Sequence, residues 1–203
     1  MFRVFMGLVC IVIASMGSTP LSASQHEELP ESAVAVNPHE TIEVIEFFSY
    51  GCRQCFNLEE VLDPWIRALP TDVYFNRLPA MFGGRWDVQG QLFLTLKVMA
   101  VDYSVHHAVF EAVRKRQKLT SAEEMADFLA TVGVDKDLFI ATYHSPVVQA
   151  KVIEAKEKTK LFEVSALPTM VVNGKHCLDL RVGGVKSMLQ RAERLTNNER
   201  LLR

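Results

Sequence analysis

Unbroken apolar runs, strand-like alternation and segments of 3.6-residue period divide the chain into successive elements. Residues 4–14 are an apolar run, with Arg3 before it and small residues between Ser18 and Ser24 after it. Residues 25–40 are polar, with Pro30 and Pro38, and predict an extended lead-in. Residues 41–50 (TIEVIEFFSY) are β-branched and aromatic with apolar side chains at both parities, which predicts a central strand. Residues 56–69 predict a helix with Pro64 as a kink, and 73–78 a second strand. From about 86 to 163 the pattern is helical. Segments 88–101 and 105–116 are followed by the capping box Ser121-Ala-Glu-Glu124, whose helix puts Met125, Phe128, Leu129 and Val132 on one face. Asp135 caps a short helix through Tyr143, and Ser145-Pro146 opens one to about Phe162. Strand character returns at 169–172. Asn173-Gly174 predicts a type I′ hairpin, 175–180 the return strand, and Gly183-Gly184 a break before a last helix to about Leu201.

This order predicts one α/β domain carrying a helical insertion. Residues 1–24 have the layout of a secretory signal, with cleavage expected after Ala23 or Ser24. An uncleaved anchor is the competing reading, but the run falls short of the ~20 residues that spanning needs. A lipoprotein reading of Cys10 is weaker, because that residue lies inside the run. In an exported setting disulfides persist. The chain of 203 residues has 22 basic against 24 acidic residues and 49% apolar residues, which excludes wholesale disorder and argues against nucleic-acid binding through a basic surface. Its four cysteines are too few for a disulfide-stapled scaffold.

Two of those cysteines, Cys52 and Cys55, follow the central strand and open the next helix. A helix N-terminus offers unsatisfied N–H groups and partial positive charge, both of which favour a thiolate at Cys52, and Arg53 adds a formal charge. Undistorted i,i+3 positions hold Cβ atoms ~5–6 Å apart, against the ~3.8 Å of a disulfide, so the oxidised pair is expected to be strained. The same two residues fit a structural disulfide or half a zinc site. A Cys₃His set of Cys52, Cys55, His176 and Cys177 can be drawn, although adjacent ligands depart from structural-zinc spacing. Glu46 shares parity with Ile42, Val44 and Phe48, which predicts a buried carboxylate with a raised pKa, able to exchange a proton with Cys55. The other reading is a solvated strand-edge acid.

The segment Glu46-Phe-Phe-Ser-Tyr-Gly-Cys-Arg-Gln-Cys55 resembles the active-site segment of the DsbA family of periplasmic thiol:disulfide oxidoreductases. Residues 164–175 (VSALPTMVVNGK) resemble that family's cis-proline loop and hairpin. RLPAMFGG from Arg77 and EEMADFLA from Glu123 resemble its helical domain. The resemblance spans about residues 40–195. It implies a thioredoxin-like fold with an inserted α-helical domain, the thioredoxin-like part being 25–84 and 164–203 and the helical part 85–163. It also implies a periplasmic enzyme that introduces disulfides into unfolded or newly exported proteins, without metal or organic cofactor, reoxidised by a DsbB-like quinone-linked membrane protein, and monomeric. In it Cys52 is the attacked sulfur, Cys55 the buried resolving one, Pro168 cis over the disulfide, and Glu46 the buried acid. Residues alone leave Pro168 equally readable as a strand-initiating proline.

Three positions depart from the family pattern. Arg53-Gln54 stands where Pro-His is common, and Leu167 where Val or Thr precedes the proline. Gln54 can donate a hydrogen bond but carries no charge. These three residues are therefore expected to tune the redox set-point and docking, and a weakly oxidising reductase or isomerase is the alternative within the reaction type. A metal-binding module and a peptide-binding chaperone are alternatives outside it. Cys177 reads as a small buried hydrophobe, or else as a third reactive thiol. His106-His107 read as solvated or interfacial, Trp65 and Trp86 as packing residues, and the basic run 114–118 as a solvated helix end.

Overall fold

A computed structural model describes residues 27–28 and 41–203; the predicted signal segment at 1–24 lies outside the described residues. The elements are β1 Glu27–Glu28, β2 Ile42–Phe48, α1 Arg53–Arg67, β3 Val73–Pro79, α2 Arg85–Val98, α3 Tyr103–Arg114, α4 Ala122–Ala130, α5 Lys136–Tyr143, α6 Pro146–Leu161, β4 Thr169–Val172, β5 His176–Asp179 and α7 Gly184–Leu201. The strands form one sheet in the order β1-β5-β4-β2-β3. Only β2 and β3 are parallel, joined by α1; the other pairs are antiparallel. β2 is interior, as its apolar residues at both parities predict. One sheet face, with Ile42, Val44, Met170, Val172 and Leu178, packs on Leu58, Leu62 and Trp65 of α1 and Met188, Ala192 and Leu195 of α7. The other, with Ile45, Phe47 and Val171, packs on Phe162 and Val164. Helices α2–α6 enclose a separate core around Phe110, Met125, Leu129 and Phe139, into which the C-terminal end of β2 and the start of α1 project through Phe48, Tyr50 and Cys55.

The caps explain where helices begin. Asp102 accepts from Ser104 N at 2.8 Å and starts α3 two residues before the apolar period becomes visible. Asp135 and Ser145 cap α5 and α6 where expected. The capping box at Ser121 is only half made. Ser121 Oγ accepts from Glu124 N, but the Glu124 carboxylate turns to the backbone N–H and hydroxyl of Thr120. Val132 lies beyond the end of α4 and is exposed; Val134 turns into the core in its place. Asn173 and Gly174 both have positive φ, as a type I′ turn requires, and Lys175 N closes it on Val172 O at 3.0 Å. β1 went unpredicted because a two-residue strand has no period to read; it exists by pairing with β5. Trp65 is buried, but Trp86 is a surface residue set edge-on against Phe82.

Ser145 supplies an N-cap hydrogen bond to Val148 N on the helix that leads back to β4. Ser145→Ala is expected to lower stability by about 1 kcal/mol, read as a lower urea midpoint at unchanged m-value.

Candidate active site

Past Phe48 the chain turns through Ser49, Tyr50 and Gly51, with Cys52 N donating to Ser49 O at 3.0 Å. Cys52 keeps extended dihedrals (φ −87°, ψ 112°) and is itself the N-cap of α1, its Sγ accepting from Cys55 N at 3.1 Å. This cap starts the helix at Arg53, three residues before the apolar period shows it. Cys52 and Cys55 form a disulfide with Cα atoms 5.3 Å apart, inside the ordinary range. The expected mismatch does not arise, because it assumed two helical residues and Cys52 lies outside the helix. The two sulfurs differ in access: Cys52 is half-buried, whereas Cys55 is fully buried. Arg53 and Gln54 are exposed. The Leu167–Pro168 peptide is cis. β4 pairs antiparallel with β2, Phe47 opposite Thr169. One further step of that register sets the buried Pro168 beside Phe48, at the strand end that leads into Cys52. Leu167 is half-buried against the same core as Cys52.

Glu46 is fully buried, and its neighbour across the sheet is Arg77 of β3. Arg77 Nε donates to Glu46 Oε2 at 2.6 Å and Nη2 to Glu59 Oε1 at 2.9 Å. Its Nη1 reaches Tyr103 Oη at 2.6 Å and His106 Nε2 at 2.9 Å. Tyr103 also donates to Glu59 Oε2. A guanidinium only donates, so His106 Nε2 accepts, and its Nδ1–H donates to Tyr50 Oη at 2.8 Å. His106 is thus buried and bonded on both nitrogens, not solvated; it shares the inward stripe of α3 with Val109 and Phe110. Burial pushes its pKa down to about 4 and keeps it neutral. One cation then faces two carboxylates. Burial raises the pKa of Glu46 despite Arg77. Burial also works against the Glu59 charge, but the hydrogen bonds around it and Arg77 hold it below the ordinary range. Glu46 Oε1 is buried without a hydrogen-bond partner. A proton held by the cluster therefore resides on Glu46. A cleft of about 440 Å³ lined by Tyr50, Arg77, Phe93, Tyr103 and His106 opens the other side of the cluster to solvent.

Sequence reasoning missed Glu59, Arg77, Tyr103 and His106. Glu59 is four residues from Cys55 on the buried stripe of α1, and His106 four before Phe110, so their periods carried a signal. Arg77 and Tyr103 became visible only through strand register and helix docking. Cys177, on β5, is half-buried and its thiol points to Phe162 O at 3.6 Å, while His176 bonds Glu199 of α7 at 3.0 Å. They do not converge with Cys52 and Cys55, and among the described residues no group of three His, Cys, Asp or Glu side chains could hold a metal ion. The drawn Cys₃His site does not form.

The profile of the DSBA-like thioredoxin domain matches residues 77–196. The thiol:disulfide interchange protein DsbA of Pseudomonas syringae pv. tomato is 50% identical over 181 residues, covering 88% of this chain and 84% of the relative. That of Pseudomonas aeruginosa is 45% identical over 190 residues, covering 93% and 90%. The crystal structure of Pseudomonas aeruginosa DsbA superposes with a TM-score of 0.83 at 47% identity, covering 87% of this chain and 93% of that one. The oxidoreductase DsbA from Xylella fastidiosa gives 0.81 at 29% identity, covering 90% and 98%. The fold expected from the resemblance is the one these structures share.

Above the ordinary carboxylate value of 4.5 the native state holds a proton on Glu46 that the unfolded chain has lost, so this residue makes stability fall as pH rises from 4.5 through its raised folded value. His106 acts oppositely, costing stability as pH falls from 6.5 to about 4. Glu46→Gln cancels only the first effect. The variant is expected to be more stable than the parent at pH 7, with the gap closing towards pH 4.5 in paired urea titrations; a gap that does not change with pH would count against a proton on Glu46.

Proposed function

The chain belongs to the DsbA family of thioredoxin-like thiol:disulfide interchange proteins, and on that premise we propose that it works as an oxidase, forming disulfides in unfolded or newly exported proteins in the periplasm. It is a protein thiol:disulfide oxidoreductase. The observation that carries the reading is the disulfide at the start of α1 with one sulfur half-exposed and the other fully buried. Access then dictates the roles. A client thiolate attacks Cys52 Sγ, the Cys52–Cys55 bond breaks, and Cys55 leaves as a thiolate. A second client thiolate attacks the client sulfur of the mixed disulfide, and Cys52 leaves as a thiolate. The client gains a disulfide, and the enzyme pair holds two electrons.

Each leaving sulfur is supported by a different feature. Cys55 N points at Cys52 Sγ from the helix terminus, where a thiolate is favoured. Cys55 emerges with no access to water, and the supply of its proton is assigned to Glu46, the buried acid with a raised pKa, with the cleft at Tyr103 as the route by which the acid cluster recovers one from solvent. Pro168, which lacks an N–H, borders the site with a backbone edge suited to an extended client segment, and Leu167 shapes the approach. Arg53 and Gln54 set the potential. The chain division into 25–84 with 164–203 and 85–163 is supported by α2–α6 standing between β3 and β4. Reoxidation is assigned to a DsbB-like quinone-linked membrane protein, and the enzyme to a monomer.

Two measurements test this. Cys55→Ala is expected to accumulate mixed disulfides with reduced clients, released by reductant, while Cys52→Ala accumulates none. The potential of the pair in graded glutathione buffers is expected near the strongly oxidising end of the family, about −120 mV. A value near about −270 mV, where thioredoxin lies, would make the protein a reductant or isomerase instead.

A further inference from the structure

Helices α1 and α3 run antiparallel across the helical core. His106 lies 3.6 Å from Glu59, Phe110 meets Phe56 edge-on at 5.8 Å between centroids, and the Arg114 guanidinium sits 3.9 Å above the Phe56 ring. Reading along these contacts, the C-terminal end of α3 lies level with the N-terminal start of α1, where Cys52 is. Arg53 is three residues before Phe56 and so occupies the neighbouring position on the same helix face. Two arginines therefore lie at the end of α1 that carries the half-exposed sulfur, one belonging to the dipeptide between the cysteines and one brought by the helical part of the chain.

Neither Arg53 nor Arg114 makes an ion pair among the described residues. The nearby carboxylates are otherwise engaged or set back: Glu111 pairs with Lys115 and Glu59 with Arg77, while Glu60 lies one turn beyond Phe56, away from the cysteines. Arg114 is exposed, and the aromatic face beneath it gives its guanidinium a preferred place. Arg116, in the left-handed conformation, closes α3, and Lys118 follows, extending the positive rim. A rim of positive charge without ion-pair partners beside a nucleophile's target selects partners by the charge next to the attacking group.

We infer that Arg114, held on Phe56, and Arg53 form a charge-reading edge of the client site that favours cysteines flanked by carboxylates. The inference rests on Cys52 being the client-facing sulfur. Its occupant is a cysteine-bearing polypeptide segment with Asp or Glu adjacent to the cysteine. The carboxylate is met by two donors that need not be moved or freed from partners first.

The test uses the oxidised protein and two reduced dithiol peptides that differ only in having Asp or Lys beside each cysteine. The ratio of their oxidation rates is measured at about 10 mM salt and at 1 M, where the Debye length falls from ~30 Å to ~3 Å. Arg114→Gln is expected to lower the Asp-to-Lys rate ratio about five-fold at low salt, Arg114→Lys to retain more than half of the preference, and 1 M salt to erase the difference between variants. Comparing ratios cancels the effect of the flanking charge on the peptide thiols themselves. An unchanged ratio in Arg114→Gln, or equal slowing of both peptides, would overturn the inference. If the parent oxidises neither peptide, the failure belongs to the assignment of Cys52 and not to the rim alone.

Discussion

Arg77 is the residue on which the architecture beneath the disulfide depends. It is almost fully buried, and a guanidinium out of water is tolerated only where its donors are met by charge and hydrogen bonds. Each of its nitrogens reaches a different element: Glu46 of β2, Glu59 of α1, Tyr103 and His106 of α3. Meeting those bonds sets the β2–β3 register, the face that α1 turns to the sheet, and the depth to which α3 docks. Deleting one member would leave buried donors or acceptors of the others unpaired, so the cluster joins the sheet to the helical core more specifically than apolar contact does.

The same cluster leaves a charge imbalance, and that imbalance bears on the chemistry. Two acids share one cation, the histidine is kept neutral, and one oxygen of Glu46 has no partner. A proton is drawn to Glu46 by burial, beneath a helix whose first turn holds a sulfur without solvent access. At the surface the logic reverses. Cys52 caps its own helix and takes an N–H from Cys55, so that position favours negative charge. One strand-to-helix junction thus presents two sulfurs with opposite surroundings.

The elements themselves were largely legible. Caps at Asp135 and Ser145, the Asn173-Gly174 turn and the doubly apolar β2 all act within a few residues, and the chain follows them. The departures from that pattern have both local and distant causes. Glu124 was drawn from Ser121 to Thr120, Val132 lost its inward place to Val134, and β1 exists only because β5 offers an edge. His106 looked like half of a solvated pair, yet its place on the stripe with Phe110 carried the opposite message, and Tyr50 and Arg77 complete its hydrogen bonds.

By itself the sequence put two cysteines at a strand-to-helix junction, a local arrangement that needs only α1 to form, and the resemblance to the DsbA family, not the spacing, singled out the reaction type. The sequence also marked Glu46 as inward-facing through a parity of two, and the DsbA resemblance marked Pro168. Tertiary structure decided what those residues stand beside. Arg77, Glu59, Tyr103 and His106 come from three separate stretches of chain, and only the alignment of β2 with β3 and the antiparallel docking of α1 on α3 bring them together. The placement of Arg114 over Phe56 has the same origin. Periodicity tells which way a side chain points from its own backbone; which partner it meets depends on how two elements pack, and that is settled by burial and charge summed over the whole core.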